Sequence, residues 1–247
     1  MKLAYRCPRD TTTAQRLKTT SMSLVASLLI LAGTTLAAPA TAAAGHVAGT
    51  HGASGSRQPG LLNANDVQIL FVDLQPELIR DSRTVKAPAL SANAAGLARV
   101  AKLTHVPVSF SIVPVGGKPG HHLPELAEYA TANNTVQRVM AGTFMAPRLV
   151  SLLASHPRKT LIVAGYATEV AVLQTVLDAL KAGYRVFFVT DVTGSRSSRT
   201  EEAAMKQMEM AGAIPTSVLA VAAQLAPDFS RKPGSDVLAT FSTLSPP

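Results

Sequence analysis

The chain has 247 residues, 47% of them hydrophobic and 15% charged, with one cysteine and a formal charge of +8. That length and apolar fraction fit one globular domain of ordinary size and exclude a disordered chain; a single cysteine excludes an intramolecular disulfide framework and any Cys-rich metal site. Removing Lys2, Arg6, Arg9, Arg16, Lys18 and Asp10 from the 23 basic and 15 acidic residues leaves 18 and 14, a net of +4, which is ordinary for a soluble enzyme.

Residues 1–20 are mostly polar and basic. Ser21 to Leu36 is a largely apolar run, followed by small residues that include Ala40-Thr41-Ala42. Charged start, short apolar run and A-x-A site together predict a cleaved secretory signal over 1–42 and export to the periplasm or medium. The run is too short for a stable membrane anchor, which needs about 20 apolar residues. Cys7 lies inside this segment, so the processed protein carries no thiol. Residues 43–64 are rich in Gly, Ala and Ser and read as a flexible leader.

From 65 to 226 the pattern alternates strand and helix. Val67–Asp73 is an apolar run that ends in an acid. Ala89–Leu103 has helical spacing, and Val106–Val113 reads as a strand. A short strand is expected at Thr135–Val139 and a short helix at Pro147–Ser155. Thr160–Ala164 is again an apolar run, stopped at Gly165. Glu169–Lys181 reads as a helix closed by Gly183, Arg185–Thr190 as a buried strand ending at Asp191, and Arg199–Met210 as a helix closed by Gly212. Ala213–Thr216 and Val218–Leu225 complete the series. Continuous apolar runs alternating with helices predict an α/β domain, an open, doubly wound, mostly parallel sheet covered on both faces. Residues 227–247 are a Pro/Ser-rich tail. The Ala-, Leu-, Val- and Met-rich helices at 169–181 and 199–210 predict a homo-oligomer.

In such sheets ligands bind beyond the carboxyl ends of the strands. Three strands deliver polar residues there: Asp73, the turn Tyr166–Glu169, and Asp191. A partly desolvated acid at a strand end suits a general acid or base, but position alone leaves a structural cap equally open. At the turn, Thr168 is the expected N-cap, with Glu169 matching the helix dipole; the N–H groups of that helix start form an anion site or merely a capped end. Thr168 and Ser197 offer hydroxyls without an evident base. His121 and His122 sit in a Gly/Pro-rich loop and read as solvent-exposed, with Lys118 a second candidate cation; no metal site is expected. No G-x-G-x-x-G follows Asp73, so no dinucleotide and no other cofactor is expected. Without a basic run or aromatic platform, nucleic acid is not a partner. A small molecule is the expected ligand.

The segments FVDLQPELI, GTFMAPRLVSLL, LIVAGYATEVAVLQTVLDALKAGYRVFFVTDVTGS and MEMAGAIPTS, in that order between about Val67 and Leu225, resemble the isochorismatase-like hydrolase superfamily. These are cysteine hydrolases that include nicotinamidases and N-carbamoyl amidohydrolases. The resemblance implies a Rossmann-like three-layer fold and an Asp, Lys and Cys at the site. The Asp takes the thiol proton, the Lys assists, and the Cys attacks a carbonyl while backbone N–H groups hold the oxyanion. Asp73 matches the Asp. The Lys position, counted back from Phe144, falls on Arg138, and the Cys of T-E-V-C-V falls on Ala171. The implied substrate contacts are Gln75, Phe144, Tyr166, Ala167, Thr168, Glu169 and Val170.

A methyl group cannot attack a carbonyl, and arginine does not readily release a proton. Isochorismatases proper also lack the Cys and cleave a vinyl ether with a proton donor, a role open to Asp73; they carry an A-H-like pair where this chain has Thr168-Glu169. The expectation is therefore a hydrolase by resemblance with thiol catalysis lost or altered. The alternative is a catalytically silent binding or assembly protein on the same fold.

Overall fold

The computed structural model describes residues 61–246. The signal segment and nearly all of the leader lie outside the described residues. Six parallel strands form one sheet: β1 (Val67–Val72), β2 (Val108–Ile112), β3 (Thr135–Gln137), β4 (Thr160–Tyr166), β5 (Arg185–Gly194) and β6 (Ile214–Thr216). Their spatial order is β3-β2-β1-β4-β5-β6. The chain thus works outward from β1 to one edge, then returns to β4 and works outward to the other. The reversal lies between β1 and β4, whose registers run from Val67 beside Thr160 to Val72 beside Gly165. The α/β, doubly wound expectation holds.

Both sheet faces are buried, which is why β1, β4 and β5 read as largely apolar runs. On β1, Ile69 and Phe71 face one core while Leu70 and Val72 face the other. Phe187 and Phe188 divide in the same way on β5. Each such fully buried side chain contributes about 1.5–3 kcal/mol.

The first core is covered by α1 (Pro76–Ile79), α2 (Ala87–Leu103), α6 (Val218–Leu225) and α7 (Gly234–Thr240); the second by α3 (Pro147–Ala154), α4 (Leu173–Lys181) and α5 (Ser198–Met210). α2 starts with a proline in its first turn, where the missing N–H is harmless, and buries Leu90, Ala94, Leu97 and Ala101 at helical spacing. Its buried Asn93 donates to the carbonyls of Asp191 and Ser245 and accepts from Ser245 N, which pins the end of the described chain to the helix.

Several boundaries depart from the sequence expectations. The 227–247 segment includes α7, which packs on α2 and buries Val237 completely. A seven-residue helix with so few large apolar residues carries little periodic signal. At the other end, Leu62 is buried and its N–H donates to Gln224 Oε1. β5 runs four residues past Thr190, with a shift in register against β4 between Val163 and Gly165. Asp191, expected at the ligand edge, instead accepts from Val218 N at the start of α6. The most apolar sides of α4 and α5 face inward, through Val176, Ala179, Ala204 and Met208. The large apolar side chains left exposed include Val139, Met145, Val170 and Met210.

Candidate functional site

Beyond the carboxyl ends of β1 and β4 lies a pocket of about 430 Å³. It occupies the reversal point of the sheet, where the loops after neighbouring strands part in opposite directions and leave a crevice. Close packing of β1 and β4 shapes its floor: a Cβ on Gly165 would stand 2.3 Å from the Val72 carbonyl oxygen. Other surface hollows of comparable size exist, such as one of about 520 Å³ lined by Lys102, Tyr129 and His156. The crevice at the strand ends is distinguished by holding a buried ion pair.

Asp73 follows β1 directly and adopts φ +53, a left-handed conformation that Asp tolerates better than most residues. Its N–H donates to the Ser111 carbonyl, and its own carbonyl accepts from Gln75 N, so the chain turns sharply there. The carboxylate points to Arg138, whose Nη2 lies 2.6 Å from Asp73 Oδ2. Arg138 Nε donates to Ser111 Oγ at 2.9 Å, and Nη1 donates to the Met140 carbonyl. Both side chains are almost wholly buried, at 1% exposure for Arg138 and 7% for Asp73. Asp73 Oδ1 is buried with no hydrogen-bond partner among the described residues. Burial pushes the Asp73 carboxyl up to about 6, against the pull of the Arg138 charge and its hydrogen bond. Desolvation outweighs the ion pair here, yet at neutral pH the carboxylate remains ionised.

The opposite wall is the turn after β4. The Tyr166–Ala167 peptide is cis. Thr168–Val172 then forms one turn of π-helix that leads into α4. The expectation of an α-helix beginning at Glu169 is corrected accordingly. Ala167, with extended backbone, stands at the cap position, and no side chain caps it. Thr168 is not the cap: its single hydroxyl hydrogen is directed at Glu201 Oε1, 2.7 Å away, and the Gly194 carbonyl, 3.1 Å away, competes for it. Glu169 turns the same way and accepts from Ser195 Oγ and Thr200 Oγ1. Ala171 and Val170 turn towards the pocket, and Thr175 Oγ1 donates to the Ala171 carbonyl at 2.6 Å.

Asp73, Arg138, Tyr166, Ala167, Val170 and Ala171 therefore line one pocket. The other four candidates lie outside it. Gln75 is fully buried and spends both ends of its amide on the backbone of Val113; it fixes the pocket rim and has no free polar atom for a substrate. Phe144 packs edge-on against Tyr184. Thr168 and Glu169 face α5 as described. Sequence reasoning missed Leu78, Val113, Pro114, Val139, Met140 and Ala141 in the lining. Flanking Arg138 was the one available signal for Val139 to Ala141.

The remaining nucleophile and metal candidates also have structural employment. Ser197 caps α5 by accepting from Thr200 N. Thr168 has an acid beside it but is fully buried. His122 pairs with Thr135 Oγ1 and packs edge-on to Phe110, half-buried; burial, then the neighbouring His121, pulls its pKa down. Lys118 sits beside a tight turn made by Gly116 and Gly117, both at positive φ, and is exposed. Among the described residues no group of three or more His, Cys, Asp or Glu is placed to hold a metal ion, and no helix is long and apolar enough to cross a membrane.

Residues 67–219 match the isochorismatase domain family. The chain belongs to the isochorismatase family. It is 28% identical over 169 residues to "Probable hydrolase YcaC" of Escherichia coli, covering 68% of this chain and 81% of that one. The crystal structure of that YcaC, described as an octameric hydrolase of unknown specificity, superposes with a TM-score of 0.69 at 27% identity, over 74% of this chain and 90% of the other. The "Secreted isochorismatase effector Isc1" of Phytophthora sojae is 30% identical over 164 residues, 65% of this chain and 77% of its own. A structure of YcaC from Pseudomonas aeruginosa with hexane-2,5-diol and covalent acrylamide gives a TM-score of 0.68 at 28% identity, over 73% of this chain and 91% of the other.

Proposed function

We propose that this family member is an exported protein that binds a small molecule without forming a thioester, with Asp73 the one carboxyl in the pocket lining. The observation that carries the reading is the methyl group of Ala171, 3% exposed, in the wall of the pocket that holds Asp73 and Arg138. Ala171 stands where the resemblance expects the nucleophile, and the only cysteine of the chain is Cys7, in the segment read as a signal. The relative from Pseudomonas aeruginosa forms a covalent acrylamide adduct; a methyl group has no lone pair with which to do so. Asp73 retains the chemistry of a proton donor whose raised pKa lies near working pH, and this suits acid-assisted cleavage of a vinyl ether better than amide hydrolysis. The secreted relative Isc1 supports export, and the octameric YcaC supports a homo-oligomer.

A screen of amides, carbamoyl amines and vinyl ethers tests this, run with the protein recovered from the envelope or medium after its N-terminus and mass are measured. The expected result is a processed N-terminus near Ala43, a mass above that of a monomer, no amide turnover, and ligand-induced stabilisation that iodoacetamide leaves unchanged. Amide hydrolysis abolished by iodoacetamide would overturn the reading.

A further inference from the structure

The polar atoms of the pocket are unequally satisfied. Arg138 donates in three directions, to Asp73 Oδ2, Ser111 Oγ and the Met140 carbonyl, and its charge is answered by Asp73. Asp73 Oδ1 has no hydrogen-bond partner among the described residues, although the residue is only 5% exposed. An acceptor left unmet in a buried site is unfavourable until a donor reaches it. Most of the remaining wall is apolar, including Leu78, Val113, Val139 and Val170.

We infer, resting on the small-molecule reading above, that the ligand is an uncharged molecule with an apolar body and one hydrogen-bond donor, presented to Asp73 Oδ1, and that the pocket rejects anions while Asp73 is ionised. A carboxylate would be set beside a carboxylate; an ammonium would be set beside the guanidinium. Either ion would leave water for a site whose own two charges already cancel, and burying an unmatched charge is costly.

Protonating Asp73 reverses the preference. Leu78 from α1, Tyr166 from β4, and Val170 and Ala171 from the turn line the pocket with it, and Ser111 from β2 shares Arg138 with it. The Tyr166 phenol is pushed up by burial and stays neutral. Glu169 is held on the α5 side by Ser195 and Thr200. Arg138 is the charge that acts on Asp73, whose carboxyl titrates at about 6. Below that pH, Arg138 is left uncompensated and the pocket becomes cationic.

Benzyl alcohol, benzoate and benzylammonium share a ring and differ in the charged or neutral head. Their dissociation constants are measured by ligand-observed NMR at pH 8 and pH 5. At pH 8 the alcohol should bind about tenfold or more tighter than either ion, the discrimination that one unmatched charge gives. Towards pH 5 the alcohol should weaken while benzoate tightens, and Asp73→Asn should prefer benzoate already at pH 8. If that variant does not fold, the opposite pH slopes on the unaltered chain carry the test. An ion as the tightest ligand at pH 8, or slopes of the same sign, overturns the inference and leaves the small-molecule site standing. No binding of any of the three at millimolar concentration overturns both.

Discussion

The turn after β4 has two sides, and they are built differently. Towards α5, Thr168 and Glu169 engage Glu201, the Gly194 carbonyl, Ser195 and Thr200 in a web of hydrogen bonds of 2.7 to 3.1 Å. Towards the pocket, two residues further on, stand Val170 and the methyl of Ala171. The polar side fixes the backbone, so the position of Ala171 is set by residues that never meet a ligand. The pocket side contributes shape, and its polarity comes from across the crevice, from Asp73 and Arg138. The geometry of the site and the chemistry of its central position are thus separable.

The largest expected effect comes from breaking the buried Asp73–Arg138 ion pair of the pocket. Arg138→Met leaves Asp73 buried without its cation and deprives Ser111 Oγ and the Met140 carbonyl of a donor. Removing one partner of a buried pair typically costs about 3–5 kcal/mol, read here as the shift in urea unfolding at pH 8. The sign with pH follows from the raised carboxyl. Folded Asp73 titrates at about 6 against an ordinary 3.8. The folded chain therefore holds this proton more tightly than the unfolded one, and the stability from this group is lost as pH rises from about 4 to about 6. In Arg138→Met the carboxyl rises further. The penalty should shrink as pH falls through about 6, where both proteins carry a neutral Asp73. A penalty independent of pH would show that Arg138 acts through packing and not through charge.

An intermediate effect is expected on the other side of the turn. Thr168→Val keeps the volume and removes the hydroxyl that donates to Glu201, whose carboxyl is already raised by burial, then lowered in part by Thr168 and Thr84 and raised again by nearby Glu169 and Glu202. An unmet buried acceptor costs about 1–3 kcal/mol. Urea unfolding gives the magnitude, and hydrogen exchange locates it: α5 should open more readily, with β1 unaffected. Equal loosening of the Asp73 side would show that the two sides of the turn are one cooperative unit.

What the sequence showed of this arrangement follows a physical line. Apolar runs cut by Gly and Asp made the parallel sheet legible, because a strand buried on both faces is mostly apolar at every position. Asp73 could be placed at the ligand edge because it ends an apolar run, whereas Arg138 and Ala171 were tied to it only through the resemblance to the isochorismatase-like hydrolases. The facing of side chains was not legible. Thr168 and Glu169 look like a cap and a dipole partner in sequence, but a π-helical turn rotates both towards α5. Gln75 reads as a free amide next to the acid until Val113, 38 residues away, is seen to occupy it. The Asp73–Arg138 pair spans 65 residues and left no local trace. Asp191 ends an apolar run as Asp73 does, yet its role is fixed by α6, an element further along the chain.

The smallest effect on stability, and the sharpest test of separability, belongs to Ala171→Cys. The change adds one sulfur at a site 3% exposed, beside a pocket with room for it. The expected cost is below about 1 kcal/mol, since no methylene is forced into packed core. If the polar side of the turn alone sets the backbone, the new thiol should stand where the resemblance puts the family's nucleophile. Asp73 then lies across the crevice as a base, and Arg138 favours the thiolate by its charge. Alkylation by iodoacetamide should outpace that of a free surface thiol. Asp73→Asn should change that rate, since it withdraws the base and leaves Arg138 uncompensated, and Thr168→Val should slow it by loosening the backbone that aims the sulfur. A thiol that reacts no faster than a model thiol, and that ignores both second changes, would place Ala171 outside the site that Asp73 serves.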